Sequence, residues 1–143
     1  MEYTIFVYGS LRKNMVNHHV LETFGATYVG FFTTLESYYM VGLKSGAYPY
    51  VLETRVHDSL VQGVVYGEVY TLSEEGIAYL DKLEGVPCQY VREKVWVKKN
   101  EECVLEVYMY ILRNEAMIDS IAANFEKRYM AVEQNDWSIV VKN

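Results

Sequence analysis

Residues 90–98 (YVREKVWVK) and 103–112 (CVLEVYMYIL) are two runs of β-branched and aromatic side chains separated only by the polar stretch 99–102 (KNEE). Such runs joined by so short a polar connection make a β-hairpin. A hairpin is marginal by itself in water, so this one commits the chain to a larger sheet. Alternation along the second run sets Tyr108, Tyr110 and Leu112 on one face and Val107, Met109 and Ile111 on the other. Tyr110 is thereby a candidate to line a pocket, with ordinary packing as the alternative.

More strands accompany the hairpin. Residues 3–8 (YTIFVY), bounded by Gly9, read as a first and central strand. Residues 26–43 suggest one bent strand or two, and 63–72 alternates with the period of a strand. Three segments read as helices. Residues 15–24 have Asn14 as N-cap and Gly25 just past the end. A second helix starts after Ser73 and stops at Gly85. In the third, Ile118, Ile121, Ala122, Phe125 and Tyr129 follow helical spacing from about Asn114. The expected class is α+β, a mixed or antiparallel sheet flanked by helices. The 143 residues hold two prolines, no repeat and no Pro/Gly/Ser linker, so a single domain over 1–143 is expected.

Charge and motifs narrow the function. Thirteen basic against nineteen acidic side chains give a net charge of -6, and no Lys/Arg block exceeds two residues. No nucleic acid or anionic membrane is therefore expected as a partner. The fourteen tyrosines have no basic groove to join them as base-stacking platforms, and suit a core and pocket lining. The N-terminus has no basic n-region and no segment approaches a membrane-spanning length, so a cytoplasmic location is expected. Cys88 and Cys103 lie far apart without a CxxC and are expected as free thiols. Adjacent His18 and His19 would face different directions on a helix, and His57 is isolated, so no metal is expected. Neither GxxxxGK[ST] nor GxGxxG occurs, Ser10 lacks GxSxG, and no cofactor is expected.

Two short stretches carry chemistry. On a helical wheel at about 100° per residue, Ile77, Leu80 and Leu83 define the apolar side of the Ser73 helix, and Glu84 lies about 40° from its centre. Partial burial and the carbonyl end of the helix would both disfavour its charged form and raise its pKa toward the range useful for proton transfer. A last-turn Glu could equally fray into water or pair with Arg92. The second stretch is Tyr8, Gly9, Ser10 and Leu11, where a strand ends at glycine. Such a turn can aim consecutive N–H groups at a carboxylate or an oxyanion, although an ordinary strand-to-helix connection is the default.

Together these stretches resemble the γ-glutamylcyclotransferase-like family, with its AIG2-like and BtrG-like groups and γ-glutamylamine cyclotransferase. The segment FVYGSLRKNMVNHHVL is similar to the family's opening strand and YGSL or YGTL loop. The later segment GVVYGEVYTLSEEGIAYLDKLEGVPCQYVREKVWV is similar to its G-x-V-Y, LD-x-LEG and Y-x-R succession. GAYPYVL and NDWSIVV also resemble family segments. The resemblance spans nearly the whole chain and implies a small, mainly antiparallel barrel with flanking helices. It further implies that Glu84 is the catalytic acid/base and that Tyr8, Gly9, Ser10 and Leu11 form the substrate loop.

The implied reaction is intramolecular: the α-amine of a γ-glutamyl amide attacks its own γ-carbonyl, giving 5-oxoproline and a free amine. The expected partner is thus a small-molecule γ-glutamyl substrate; the oligomeric state is left open. Two other readings stand beside it. One is a module on the same fold that binds a small carboxylate without turnover, which the retained Glu84 and intact loop disfavour. The other is a hydrolase using Glu84 to activate water, weakened by the lack of a nucleophile or metal motif.

Overall fold

A computed structural model describes residues 1–46 and 48–140. Ala47 of the GAYPYVL segment and Val141 of NDWSIVV lie outside the described residues. The hairpin forms as expected from β6 (Tyr90–Asn100) and β7 (Cys103–Leu112). Its turn is tighter than the polar stretch suggested, because Asn100 Oδ1 accepts the N–H groups of both Glu102 and Cys103 at 2.9 Å. The strand at the N-terminus is β1 (Glu2–Val7), and residues 63–72 give β5 (Tyr66–Ser73). Residues 26–43 resolve into two strands, β2 (Thr27–Thr34) and β3 (Tyr39–Leu43), which belong to different sheets.

Strands β1, β5, β2, β6 and β7 close a barrel in that order. All pairings are antiparallel except β1 with β7, where Ile5 lies opposite Tyr108 in parallel. The sheet is therefore mixed, and β1 is central with a neighbour on each side. A second sheet of order β4, β3, β8 is formed by β4 (Pro49–Leu52), β3 and β8 (Tyr129–Ala131). The structure is thus the small α+β barrel with flanking helices that the resemblance implied.

Alternation divides the core. Phe6, Phe32, Val69, Val97, Met109 and Ile111 belong to a buried cluster that draws on all five barrel strands and fills the barrel. Ile5, Val7, Tyr70, Tyr110 and Leu112 face the other way. They pack against Val20 and Leu21 of α1 (His18–Thr23), Ile77 and Leu80 of α2 (Glu74–Leu83) and Ile121 of α3 (Glu115–Ala123). A short α4 (Trp137–Val140) seats Trp137 against Gly42. No described helix is long and apolar enough to cross a membrane.

Two helical readings are corrected. The first helix begins at His18, three residues later than the spacing suggests, and Asn14 adopts φ +68° rather than capping it. Backbone bonds from Arg12 N–H to Gly9 O, Met15 N–H to Arg12 O and Asn17 N–H to Ser10 O consume that stretch in a loop. The third helix ends at Ala123, not at Tyr129. Glu126 turns the chain at φ +71°, and Tyr129 pairs with Leu43 as β8 adds to β3. Strand addition overrides the helical spacing of Phe125 and Tyr129. Cys88 and Cys103 are unbridged.

Candidate active site

Helix α2 is fixed at both ends. The side chain of Ser73 accepts the Gly76 N–H at 3.1 Å, and Glu74 and Glu75 occupy the first turn, where the helix dipole favours negative charge. At the other end Gly85 N–H donates to Lys82 O and Val86 N–H donates to Asp81 O, with Gly85 at φ +68°. This pair of bonds is a Schellman motif, and it makes Glu84 the C-cap residue, held rather than frayed. Ile77 and Leu80 are buried as the wheel implies, but Leu83 is 49% exposed. It sits on the last turn, where the helix leaves the barrel surface and borders a cavity.

Gly85→Ala is expected to lower the unfolding free energy by about 1–2 kcal/mol, since a Cβ in left-handed backbone is strained. That Cβ would meet Gln89 only at ordinary contact distances of 3.4–3.5 Å, so the loss is conformational. Urea unfolding of the variant checks it.

The cavity measures about 270 Å³ and lies where β1 ends, beside the last turn of α2. All six residues singled out from the sequence line it: Glu84, Tyr8, Gly9, Ser10, Leu11 and Tyr110. Pro49 and Tyr50 of the second sheet close another side. Gly9 is there because nothing larger fits: a Cβ would stand 2.9 Å from Cδ of Pro49.

The loop that follows Tyr8 has its carbonyls tied back. Gly9 O accepts Arg12 N–H at 3.0 Å, Ser10 O accepts Asn17 N–H at 2.9 Å, and Leu11 O accepts the His18 Nδ1–H at 2.9 Å. Ser10 Oγ accepts Asn17 Nδ2 at 2.9 Å, which leaves its own proton to donate. Among the described residues, the N–H groups of Gly9, Ser10 and Leu11 have no acceptor. The loop therefore presents donors without a cation.

Glu84 is half-buried, and its carboxyl has no hydrogen-bond partner among the described residues. Burial raises its pKa to about 7. Asp81, not Glu84, is the partner of Arg92, at 2.8 Å. The phenols of the cavity behave differently. Burial holds the Tyr8, Tyr50, Tyr90 and Tyr110 hydroxyls well above the usual phenol range, so all four are protonated donors at neutral pH. Tyr8 Oη donates to the main-chain carbonyl of Tyr110 at 2.7 Å, and Tyr110 Oη donates to Asp81 Oδ1 at 2.7 Å. No other carboxylate and no His, Cys or Lys lines the cavity among the described residues. Glu84 is thus the one group there poised to exchange a proton near pH 7.

Sequence reasoning missed Asn17, placed inside a helix, and Asp81, which was not singled out. The signal for Asp81 was its i−3 spacing from Glu84, which brings both to the same end of the helix.

One confined carboxyl thus lines the same cavity as the strand-end loop whose N–H groups have no acceptor among the described residues. Residues 5–138 match the family described as gamma-glutamyl cyclotransferase, AIG2-like, and the chain belongs to that family. A protein of Vibrio cholerae described as a candidate gamma-glutamylcyclotransferase is 35% identical over 120 residues, covering 84% of this chain and 94% of that one. A gamma-glutamylaminecyclotransferase of Rattus norvegicus is 34% identical over 97 residues, 66% of this chain and 62% of its own. The crystal structure of an AIG2-like protein from Mus musculus superposes with a TM-score of 0.66 at 26% identity, covering 77% of this chain and 76% of that one.

Proposed function

We propose that the protein is a cyclotransferase that converts a γ-glutamyl amide into 5-oxoproline and a free amine, with Glu84 as general acid/base. The observation that carries this reading is the Glu84 carboxyl, without a partner among the described residues and raised to about 7, in the same cavity as the donors of the Gly9 loop.

The substrate's α-ammonium must first lose a proton, which the Glu84 carboxylate accepts. The freed amine attacks the γ-carbonyl carbon, forming the C–N bond of a five-membered ring and placing negative charge on the carbonyl oxygen. The N–H groups of Gly9, Ser10 and Leu11 supply donors for that oxygen or for the substrate's α-carboxylate. Glu84 then returns its proton to the leaving nitrogen as the old C–N bond breaks, and takes up the second proton, the one left on the ring nitrogen, which the released amine carries away as ammonium. No water is consumed: two protons leave the α-nitrogen and both end on the released amine, each passed through the one residue. A confined cavity favours the folded-back conformer that the attack requires.

The pH dependence has a definite sign. Glu84 must begin as the carboxylate, so kcat/KM is expected to rise through a midpoint of about 7. It should fall again as the substrate's α-amine loses its proton, near pH 8 for a typical α-amino group. Initial rates between pH 5 and 9 check this; a midpoint at the ordinary carboxylate value removes the role of burial.

A panel of γ-glutamyl amides tests the reaction class, with amine, 5-oxoproline and glutamate followed together. Equal amounts of amine and 5-oxoproline are expected. Glutamate in place of 5-oxoproline means hydrolysis, and neither product with ligand still bound means the binding-module reading.

A further inference from the structure

Resting on that reading of Glu84 and the loop, we infer that Asp81 is a positioning residue that fixes the acid/base against the substrate loop, acting through Tyr110. Asp81 lies one turn before Glu84 on α2. Its Oδ1 accepts two hydrogen bonds, from Tyr110 Oη at 2.7 Å and from Arg92 Nε at 2.8 Å. Both donors come from a single rung of the hairpin, for Arg92 of β6 is the register partner of Tyr110 of β7. The guanidinium also lies 4.5 Å from the centre of the Tyr108 ring, which limits its freedom.

The link does not end at the helix. The main-chain carbonyl of Tyr110 accepts the Tyr8 hydroxyl at 2.7 Å, and Tyr8 is the residue from which the loop of free N–H groups departs. Two short bonds, Asp81 to Tyr110 and Tyr110 to Tyr8, therefore run from the last turn of α2 through β7 to the root of the loop. The proton-transferring group and the N–H donors sit on elements that are distant in sequence, and this chain of contacts sets their separation. An error of about 1 Å in such a separation lowers a rate by about 10²-fold. As a mere ion pair the partly exposed Asp81–Arg92 contact would matter little.

Asp81→Asn keeps the shape and loses the charge that makes both bonds strong. Tyr110→Phe keeps the ring and the main-chain carbonyl and loses only the bond to Asp81. Each is expected to lower kcat by about 10–100-fold with KM changed less than about threefold. The double variant is expected to be no slower than the slower single one, because both remove the same link. Additive losses, or an Asp81→Asn enzyme at wild-type kcat while Glu84→Gln is inactive, overturn this inference and leave the reading of Glu84 standing.

A second readout is independent of turnover. The amide resonances of Gly9, Ser10 and Leu11 are expected to shift in Asp81→Asn and in Tyr110→Phe alike. Loop resonances unmoved in both variants overturn the proposal even if no γ-glutamyl amide is a substrate. Thermal melting of both variants confirms that the comparison is between folded proteins.

Discussion

Glu84→Gln is expected to lower kcat by about 10²–10⁴-fold or more, the usual worth of a positioned general acid/base, while the protein folds and still binds 5-oxoproline. Gln has the shape of Glu and fills the same C-cap position, but it cannot take a proton from an ammonium and hand it to a leaving amine. No other described residue can substitute, since the cavity holds no second carboxylate, histidine, cysteine or lysine among them. A steady-state assay beside product titration measures both effects; a variant with the wild-type rate removes Glu84 from the mechanism.

The same variant has a stability signature whose sign follows from linkage. Burial keeps the folded Glu84 protonated up to about pH 7, whereas the unfolded chain releases that proton near 4.5. The native state binds more protons across this window, so wild-type stability falls as pH rises through it. Gln has no proton to lose. Its melting temperature relative to wild type should therefore rise between pH 4.5 and about 7 and level off above that.

Gly9→Ala is the second large effect expected. Its Cβ would lie 2.9 Å from Cδ of Pro49, closer than real contacts allow, and a tight 3.0 Å from Cγ. The pyrrolidine ring cannot swing away as a long side chain can, and Pro49 opens a strand paired with β3. The loop must move instead, carrying its N–H groups off their line to the substrate. Loss of one comparable donor costs about 3–4 kcal/mol in the transition state, which corresponds to a loss in kcat/KM of about 10²–10³-fold. The barrel core is untouched, so thermal stability should fall far less than activity. A Gly9→Ala enzyme with a wild-type rate would show that the loop amides are not part of the chemistry.

Much of this was legible in local sequence. The β6–β7 hairpin, β1 and both ends of α2 are written in alternation, capping residues and the Gly85 stop, all of which act within a few residues. Glu84 could be singled out because the helical period and the helix end are local properties. Closure of the barrel was not legible that way: the parallel contact of β1 with β7 joins Ile5 to Tyr108, and only the family resemblance implied a barrel. The strand β8 is three residues long, too short to show a period, and the helical spacing of Phe125 and Tyr129 masked it. The stretch before α1 was misread for a related reason. Its composition suits a helix, but Asn17 spends its side chain on Ser10 Oγ rather than on a helix end. Asp81 was passed over because a wheel sorts residues by hydrophobicity, while its partners arrive from two later strands, 11 and 29 residues further along the chain.

The central claim is that confinement alone poises one carboxyl for proton exchange at neutral pH. It is tested most directly by following the side-chain carboxyl carbon of Glu84 by NMR across pH in selectively ¹³C-labelled protein, with the Glu84→Gln variant assigning the signal. A single titration with its midpoint at about 7, displaced when 5-oxoproline occupies the cavity, is the predicted result. A midpoint at about 4–5, the range of an exposed glutamate, would contradict the account.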